Sequence, residues 1–370
     1  MLTTLLHLTV CTTHFKDNFD ASLIWKKGKA DGIMKIQKHG LLPFKGLVTT
    51  TDYKFYHYST PIDSFSTKSN DLVLQFAVTF EQSLNCGGGY LKLIPSTPSS
   101  DFDGDSPYFI MFGPDICGPT KKVHVILHYK DKNHAIKHHI SAPHDTLMHV
   151  YTLIIHKDQS YDVLVDHKSV QSGLLVDDFD TLLPPKQILD PNAAKPDNWD
   201  DRPKIPDTTD VKPEDWDDIP QYIDDPDHAN KPEDWDDEMD GEYEVAQIVN
   251  PEYKGEWKPK MVENPEYKGE WEHPMIDNPE YVLDKELHVF NKVGGLGIDV
   301  WQVEAGTLFS HVLLTDSVED AEEEREKLMA LKEEEEGLKK EADAKKAEED
   351  AKKAEEEAEE NKEEEDKEEL

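Results

Sequence analysis

The octapeptide NPEYKGEW occurs at residues 250–257 and again, unchanged, at 264–271, and its first half returns at 278–281. The copies start 14 residues apart. Upstream, a second motif built on Lys-Pro-acid-(Asp/Asn)-Trp-Asp recurs at 195–201, 212–218 and 231–237. Between 187 and 285 proline is dense and aliphatic residues are few, so no continuous apolar core can form there. Each copy nevertheless carries a large aromatic: Trp199, Trp216 and Trp235 in the first set, then Tyr253, Trp257, Tyr267, Trp271 and Tyr281 in the second. A turn near 238–247 would bring the two sets together antiparallel and in reverse order. Each facing pair could then bury its aromatics, lysine stems and prolines in one small local cluster. Proline would pre-order the extended backbone. The expected product is a hairpin arm made of short repeats. The alternative is a disordered acidic linker, for which a strict aromatic period has no use.

The remaining 187 or so residues before the repeats read differently. DLVLQFAVTF (71–80), KKVHVILHY (121–129), HVYTLIIH (149–156) and YDVLVDH (161–167) alternate apolar and polar residues and are rich in Val, Ile, Phe and Tyr. Residues 286–315 return to the same style with LHVF, IDVWQV and LFSHVLLT. The expected fold is an all-β antiparallel sandwich over 14–186 and 286–318, with strands supplied from beyond the 187–285 insertion. From 319 to 370 the chain is Glu, Ala, Lys and Leu without proline. A helix lying on the sandwich is expected to about 340 and a solvated, partly helical tail beyond it.

Net charge is −39, with 26 Asp and Glu against 11 Lys and Arg in 319–370 alone. Nucleic acids and anionic membranes would repel such a chain; cations, basic partners and neutral ligands would not. Residues 1–13 read as a signal-peptide remnant holding Cys11. Its removal would leave Cys86 and Cys117, which suit one disulfide of an oxidising compartment; two buried free thiols are the alternative. No other apolar run is long enough to span a membrane. The final KEEL is similar to a retrieval signal of the endoplasmic reticulum lumen.

CGGGYLKL (86–93), YFIMFGPDICGP (108–119), both repeat sets and GLGIDVWQV (295–303) together resemble the calreticulin family of lectin chaperones, over nearly the whole chain. Three plus three repeat copies resemble its soluble branch more than the membrane-anchored one. The resemblance implies a legume-lectin-like, concanavalin-type sandwich with an inserted proline-rich hairpin arm and a C-terminal acidic helix or tail. It implies binding of monoglucosylated N-glycans on unfolded glycoproteins, and a monomer. The implied sugar site is Tyr90, Lys92, Tyr108, Met111, Asp115, Ile126, Asp299 and Trp301. The chemistry agrees: carboxylates, an amine and hydroxyls can hold sugar hydroxyls, and apolar or aromatic side chains can cover C–H faces. Tyr108, Met111 and Ile126 could equally be sandwich core. The resemblance gives His149 a chaperone-supporting role, although a lone strand histidine is more often simply packed. It makes Glu238, Asp240, Glu242 and Tyr243 the arm tip that would recruit a thiol oxidoreductase and a prolyl isomerase. Tyr243 replaces the usual Trp there.

Calcium is the implied cofactor, at two kinds of site. A tight one would use backbone oxygens of Asn18, Pro43 and Lys45 and a side chain at 310, where the family's Asp is Ser310. The acidic tail would buffer calcium weakly. Other motifs fail: DFDGD (101–105) has Phe112 where a calcium loop needs its bidentate acid, and VGGLG precedes no helix. HAIKHH (134–139) supplies no closed ligand set. No enzyme is expected; Asp115 and Asp299 alone do not make a glycosidase. The competing functions are a luminal calcium buffer and a sugar-independent polypeptide-binding chaperone.

Overall fold

A computed structural model of the chain describes residues 11–96, 99–232, 235, 241–242 and 244–368, with side chains to 353. The chain divides into two compact units: Met1–Pro185 with Pro279–Leu370, and Lys186–Asn278.

The first unit holds two antiparallel eight-stranded sheets. One contains β1 (Thr13–Asp17), β3 (Met34–Lys38), β4 (Lys45–Thr49), β6 (Leu72–Phe80), β12 (Met148–Ile155), β13 (Ser160–Val165), β14 (Lys168–Leu174) and β22 (Thr307–Thr315). Its order is β14-β13-β12-β6-β22-β4-β3, with β1 also on β22. The other contains β2 (Lys26–Lys27), β5 (Lys54–Phe65), β7 (Cys86–Gly88), β8 (Leu91–Pro95), β9 (Ile110–Cys117), β10 (Thr120–Tyr129), β11 (Lys132–Ala135) and β21 (Val293–Gln302). Its order is β11-β10-β9-β7-β21-β5-β2, with β8 beside β21 and β9. The late strands β21 and β22 therefore sit inside the sheets rather than at their edges. The main apolar cluster takes side chains from both sheets, among them Phe76, Phe112, Tyr151, Ile298 and Phe309. This is the lectin-like sandwich.

On β6, β12 and β22 every residue is buried. A one-faced sheet would alternate instead. The second cover is a long helix, α2 (Val318–Glu368); a one-turn helix, α1 (Leu175–Asp178), precedes it. Ser317 Oγ accepts the Asp320 N–H at 3.0 Å and caps the helix start. Ala321, Leu328 and Met329 then pack on Val73, Ile154, Met148, Val150 and Leu308. Glu335 is buried, accepts the Met148 N–H at 2.7 Å and lies 3.2 Å from His39. The helix read from sequence to about 340 runs on as one helix to Glu368, its side chains exposed from Glu341 to Lys353.

The second unit is a nested hairpin of three two-stranded sheets. Here β15 (Gln187–Leu189) pairs with β20 (Met275–Asp277), β16 (Lys204–Pro206) with β19 (Met261–Glu263), and β17 (Tyr222–Asp224) with β18 (Gln247–Val249). The tryptophans Trp199, Trp216 and Trp235 donate from Nε1 to the carbonyls of Gly269, Gly255 and Gly241, each at 2.9 Å. All three glycines have positive φ (86°, 77° and 85°), so each turn needs a residue without a Cβ. Lys254 lies 5.5 Å over the Trp216 ring. No residue of this unit belongs to an apolar core cluster among the described residues.

Candidate functional site

The eight proposed sugar-site residues all lie on or beside the sheet that carries β21. Two-residue alternation explains this. On β21, Ile298 and Val300 point to the core while Asp299 and Trp301 face outward, half-buried. On β10, Val123, Val125 and Leu127 are buried, and His124, Ile126 and His128 face outward. Register then sets a row across four strands: Lys92 opposite Gly297 of β21 and Met111 of β9, and Met111 opposite Ile126. The Cys86–Cys117 disulfide is present and joins directly paired residues of β7 and β9. Two pairs further, Gly88 lies opposite Asp115. Gly113, at φ 136°, comes so close to Tyr90 that an added Cβ would lie 2.6 Å from the Tyr90 Cα.

Asp299 is the centre of the arrangement. Lys92 Nζ donates to its Oδ2 at 2.6 Å, and His57 Nε2 lies 3.1 Å from its Oδ1. Burial disfavours the charged carboxylate, but His57 and Lys92 outweigh that and hold its pKa below the ordinary value. Lys92 is only 4% exposed; it also donates to the Gly104 carbonyl at 3.3 Å and sits 4.9 Å over the Tyr108 ring. Burial raises the pKa of both Tyr90 and Tyr108, so both phenols stay neutral and can donate or accept. Asp115 is held by His124 Nε2 at 3.0 Å. An anion fixed on each oxygen still has lone pairs for ligand hydroxyls, and Trp301, Met111 and Ile126 offer apolar faces beside it.

A cavity of about 670 Å³ opens at Asp299. Tyr90, Asp299 and Trp301 line it, but so do Tyr53, Phe55 and His57, which sequence reasoning missed. The signal existed: β5 reads KFYHYS, and Phe55 and His57 are the direct partners of Trp301 and Asp299. Lys92, Tyr108, Met111, Asp115 and Ile126 lie outside the cavity lining, along the row over β8–β10.

His149 is elsewhere, on β12 of the other sheet. Its Nδ1 lies 2.9 Å from Asp166 and its Nε2 3.0 Å from Asp145. Lys332 of α2 reaches His149 Nδ1 at 2.8 Å and Asp166 at 2.6 Å. Burial opposes the charged imidazole, but the two aspartates prevail and raise its pKa. The group ties the sheet to the helix.

Of the residues expected at a tight calcium site, Ser310 lies on β22 opposite Ala77 of β6, where the register of that pair shifts; Lys45 begins β4, just after Pro43, and Asn18 follows β1. Asn18 Oδ1 and Ser310 Oγ are buried without partners. Beside them burial lowers the His311 pKa to about 4. These are neutral donors, and among the described residues no group of three His, Cys, Asp or Glu could hold a metal. A hard dication wants carboxylates, and neither the Asn18 nor the Ser310 side chain supplies one. Of the expected arm tip, Glu242 is exposed; Glu238, Asp240 and Tyr243 lie outside the described residues, as do 1–10 and the last two residues of KEEL. Among the described residues no helix is long and apolar enough to cross a membrane.

The sequence model of the calreticulin family matches residues 16–241 and 239–314. Calreticulin of Onchocerca volvulus is 52% identical over 295 residues, covering 79% of this chain and 75% of that protein. The Drosophila melanogaster protein of that name is 57% identical over 277 residues, covering 74% and 68%. That of Dictyostelium discoideum is 48% identical over 343 residues, covering 89% and 80%. Among solved structures, the globular domain of T. cruzi calreticulin superposes with a TM-score of 0.64 at 29% identity, covering 89% of this chain and 98% of that one.

Proposed function

The chain belongs to the calreticulin family, and from that premise we propose that it is a lectin chaperone that holds monoglucosylated high-mannose glycans on folding glycoproteins. The family is one of non-enzymatic lectin chaperones. The observation that carries the glycan reading is the Lys92–Asp299 pair, in which a buried amine fixes a half-buried carboxylate that lines an aromatic-walled cavity. Asp299 accepts from sugar hydroxyls, Lys92 and the neutral Tyr90 and Tyr108 donate, and Trp301, Met111 and Ile126 cover C–H faces. Asp115 is a second carboxylate along the same row. The compartment is the endoplasmic reticulum lumen, in keeping with the disulfide. The chain acts as a monomer, and the tip of its proline-rich unit recruits a thiol oxidoreductase and a prolyl isomerase.

Calcium binding is a general property of the family. In this chain we place it, with low affinity, on the acidic stretch of α2 whose carboxylates are exposed between Glu341 and Lys353, rather than at Ser310. A luminal calcium buffer is therefore the second reading, favoured by that exposed acidic helix.

The test is calorimetric titration with a glucosyl-α1,3-mannose oligosaccharide, with and without millimolar calcium, for the chain and for Asp299→Asn. Binding that disappears in the variant is the expected result. No binding to the unaltered chain in either buffer would overturn the lectin reading and leave the calcium buffer or a sugar-independent chaperone.

A further inference from the structure

The proline-rich unit keeps more apolar side chains in water than its own packing explains. In each of its three small sheets the central cross-strand pair (Ile188–Ile276, Ile205–Val262 and Ile223–Ile248) lies on one face of the pleat, and the two flanking pairs lie on the other. One flanking pair is polar in every sheet: Gln187 donates to Asp277 at 3.3 Å, Lys204 lies 3.7 Å from Glu263, and Asp224 faces Gln247. The other is apolar in every sheet: Leu189–Met275, Pro206–Met261 and Tyr222–Val249. Leu189, Met275, Met261, Tyr222 and Val249 are 49–65% exposed, and Pro206 is exposed as well. Apolar residues scattered singly over a surface need no explanation, but three registered pairs do. Strand preference does not supply it, because Leu, Met and Pro are not among the strand-favouring residues. Packing does not supply it either, because the unit is held by its ladders, its tryptophan-to-glycine bonds and its asparagine turns. Around these pairs carboxylates are in excess. Residues 187–278 hold 28 Asp and Glu against 9 Lys and Arg, and Lys195, Arg202, Lys204 and Lys212 are already paired with acids of the same unit. A ligand for such a row needs apolar side chains to cover the pairs and cationic ones to meet the carboxylates. It must also be extended, because each apolar pair stands on a different sheet. Two of the six side chains are methionines, which adapt to partners of varying sequence.

We propose that the three apolar pairs form a docking row for an extended segment of unfolded polypeptide that carries both apolar and basic residues. The residues of the row are distinct from the expected tip at 238–243 and from the Asp299 site, so the proposal does not rest on the glycan reading. Sugar and polypeptide are held by different units of the chain. Contact at three separate sheets makes binding graded: each pair adds its own increment, and no single pair is indispensable.

The probe is a fluorescent, flexible peptide of Leu and Lys residues spaced by Gly and Ser. One control peptide has Glu in place of every Lys, and another has Ser in place of every Leu. Anisotropy titrates the full chain, Met275→Ser, Met261→Ser, Val249→Ser, the triple serine variant, Met261→Leu with Met275→Leu, and Asp299→Asn. The unaltered chain is expected to bind the Leu–Lys peptide tighter than either control, and less tightly as salt is added. Each serine substitution should weaken that binding about twofold, and the triple variant about eightfold. The leucine double variant and Asp299→Asn should both bind as the unaltered chain does. The indole N–H resonances of Trp199, Trp216 and Trp235 should stay in place throughout, which separates lost docking from lost structure. If the triple variant binds the peptide as tightly as the unaltered chain, or if the Glu control binds equally well, the docking row is overturned, whatever the oligosaccharide titration gives. If sedimentation shows a dimer that the triple variant abolishes, the row belongs to a second copy of the chain and the polypeptide proposal is overturned too.

Discussion

Phe76 in the sandwich and Trp216 in the proline-rich unit are both large aromatics, and their surroundings differ in kind. Phe76 is fully buried, 5.8 Å from Phe112 and 6.0 Å from Tyr151, inside a cluster that spans both sheets. Trp216 is half-buried, donates to one carbonyl and carries one lysine over its face. The first is one member of a shared core. The second is the whole core of its own repeat. Sandwich residues should thus act on the entire unit, and repeat residues only on their neighbours.

The largest expected effect breaks the shared core. Phe76→Ala should cost the sandwich about 4 kcal/mol, measured by denaturant unfolding, and should leave amide exchange in 187–278 unchanged. Loss of protection in both units together would mean they are not independent. Next, Cys86→Ala with Cys117→Ala opens a loop of sequence separation 31 and should cost about 3 kcal/mol by freeing the unfolded chain. It should also loosen the β7–β9 pairing that carries Asp115, weakening glycan binding before the fold is lost.

A third prediction contrasts titrations. His311 is buried and its folded pKa is depressed to about 4 from an unfolded 6.5. Its contribution is therefore fully present above the unfolded value and is lost as pH falls toward 4. Between pH 7 and 5 the chain should lose about 2 kcal/mol that His311→Asn does not lose; asparagine is chosen because it tolerates the left-handed backbone at φ 48°. In the proline-rich unit the fully exposed His228 is raised by Asp225, yet His228→Ala should leave stability in the same pH range unmoved. The smallest effect is Trp216→Ala. It should open only the β17–β18 pair and the turn at Gly255, by about 1 kcal/mol, seen as faster exchange there with β15–β20 unchanged.

The sequence announced the sandwich through its two-residue alternation, and the same alternation is why all eight proposed sugar residues share one sheet. It also announced a helix lying on the sandwich, but not that β6, β12 and β22 would be the strands it covers. DLVLQFAVTF looks like an alternating strand until α2 is known to lie on it. Phe55 and His57 escaped because β5 interleaves aromatics on both faces, so no polar side marks the ligand. In the proline-rich unit the aromatics were conspicuous, but Asn250 and Asn264 are more buried than any of them. Each accepts the N–H two residues on and donates across the hairpin, to Pro220 O and Arg202 O. Composition counts a short amide as solvent-facing; only the turn it closes reveals otherwise.

The tryptophan-to-glycine bonds of the nested hairpin also govern how such a protein can change length. Each bond joins a copy on the outgoing strand to a turn on the returning one. A duplication on one side alone would strand an indole without its carbonyl and throw every pairing nearer the tip out of register. Growth or shortening must therefore occur in matched pairs, one rung at a time, and reach becomes a counted quantity. Chains of this architecture are expected to differ by whole rungs, with the rungs that remain keeping their local structure.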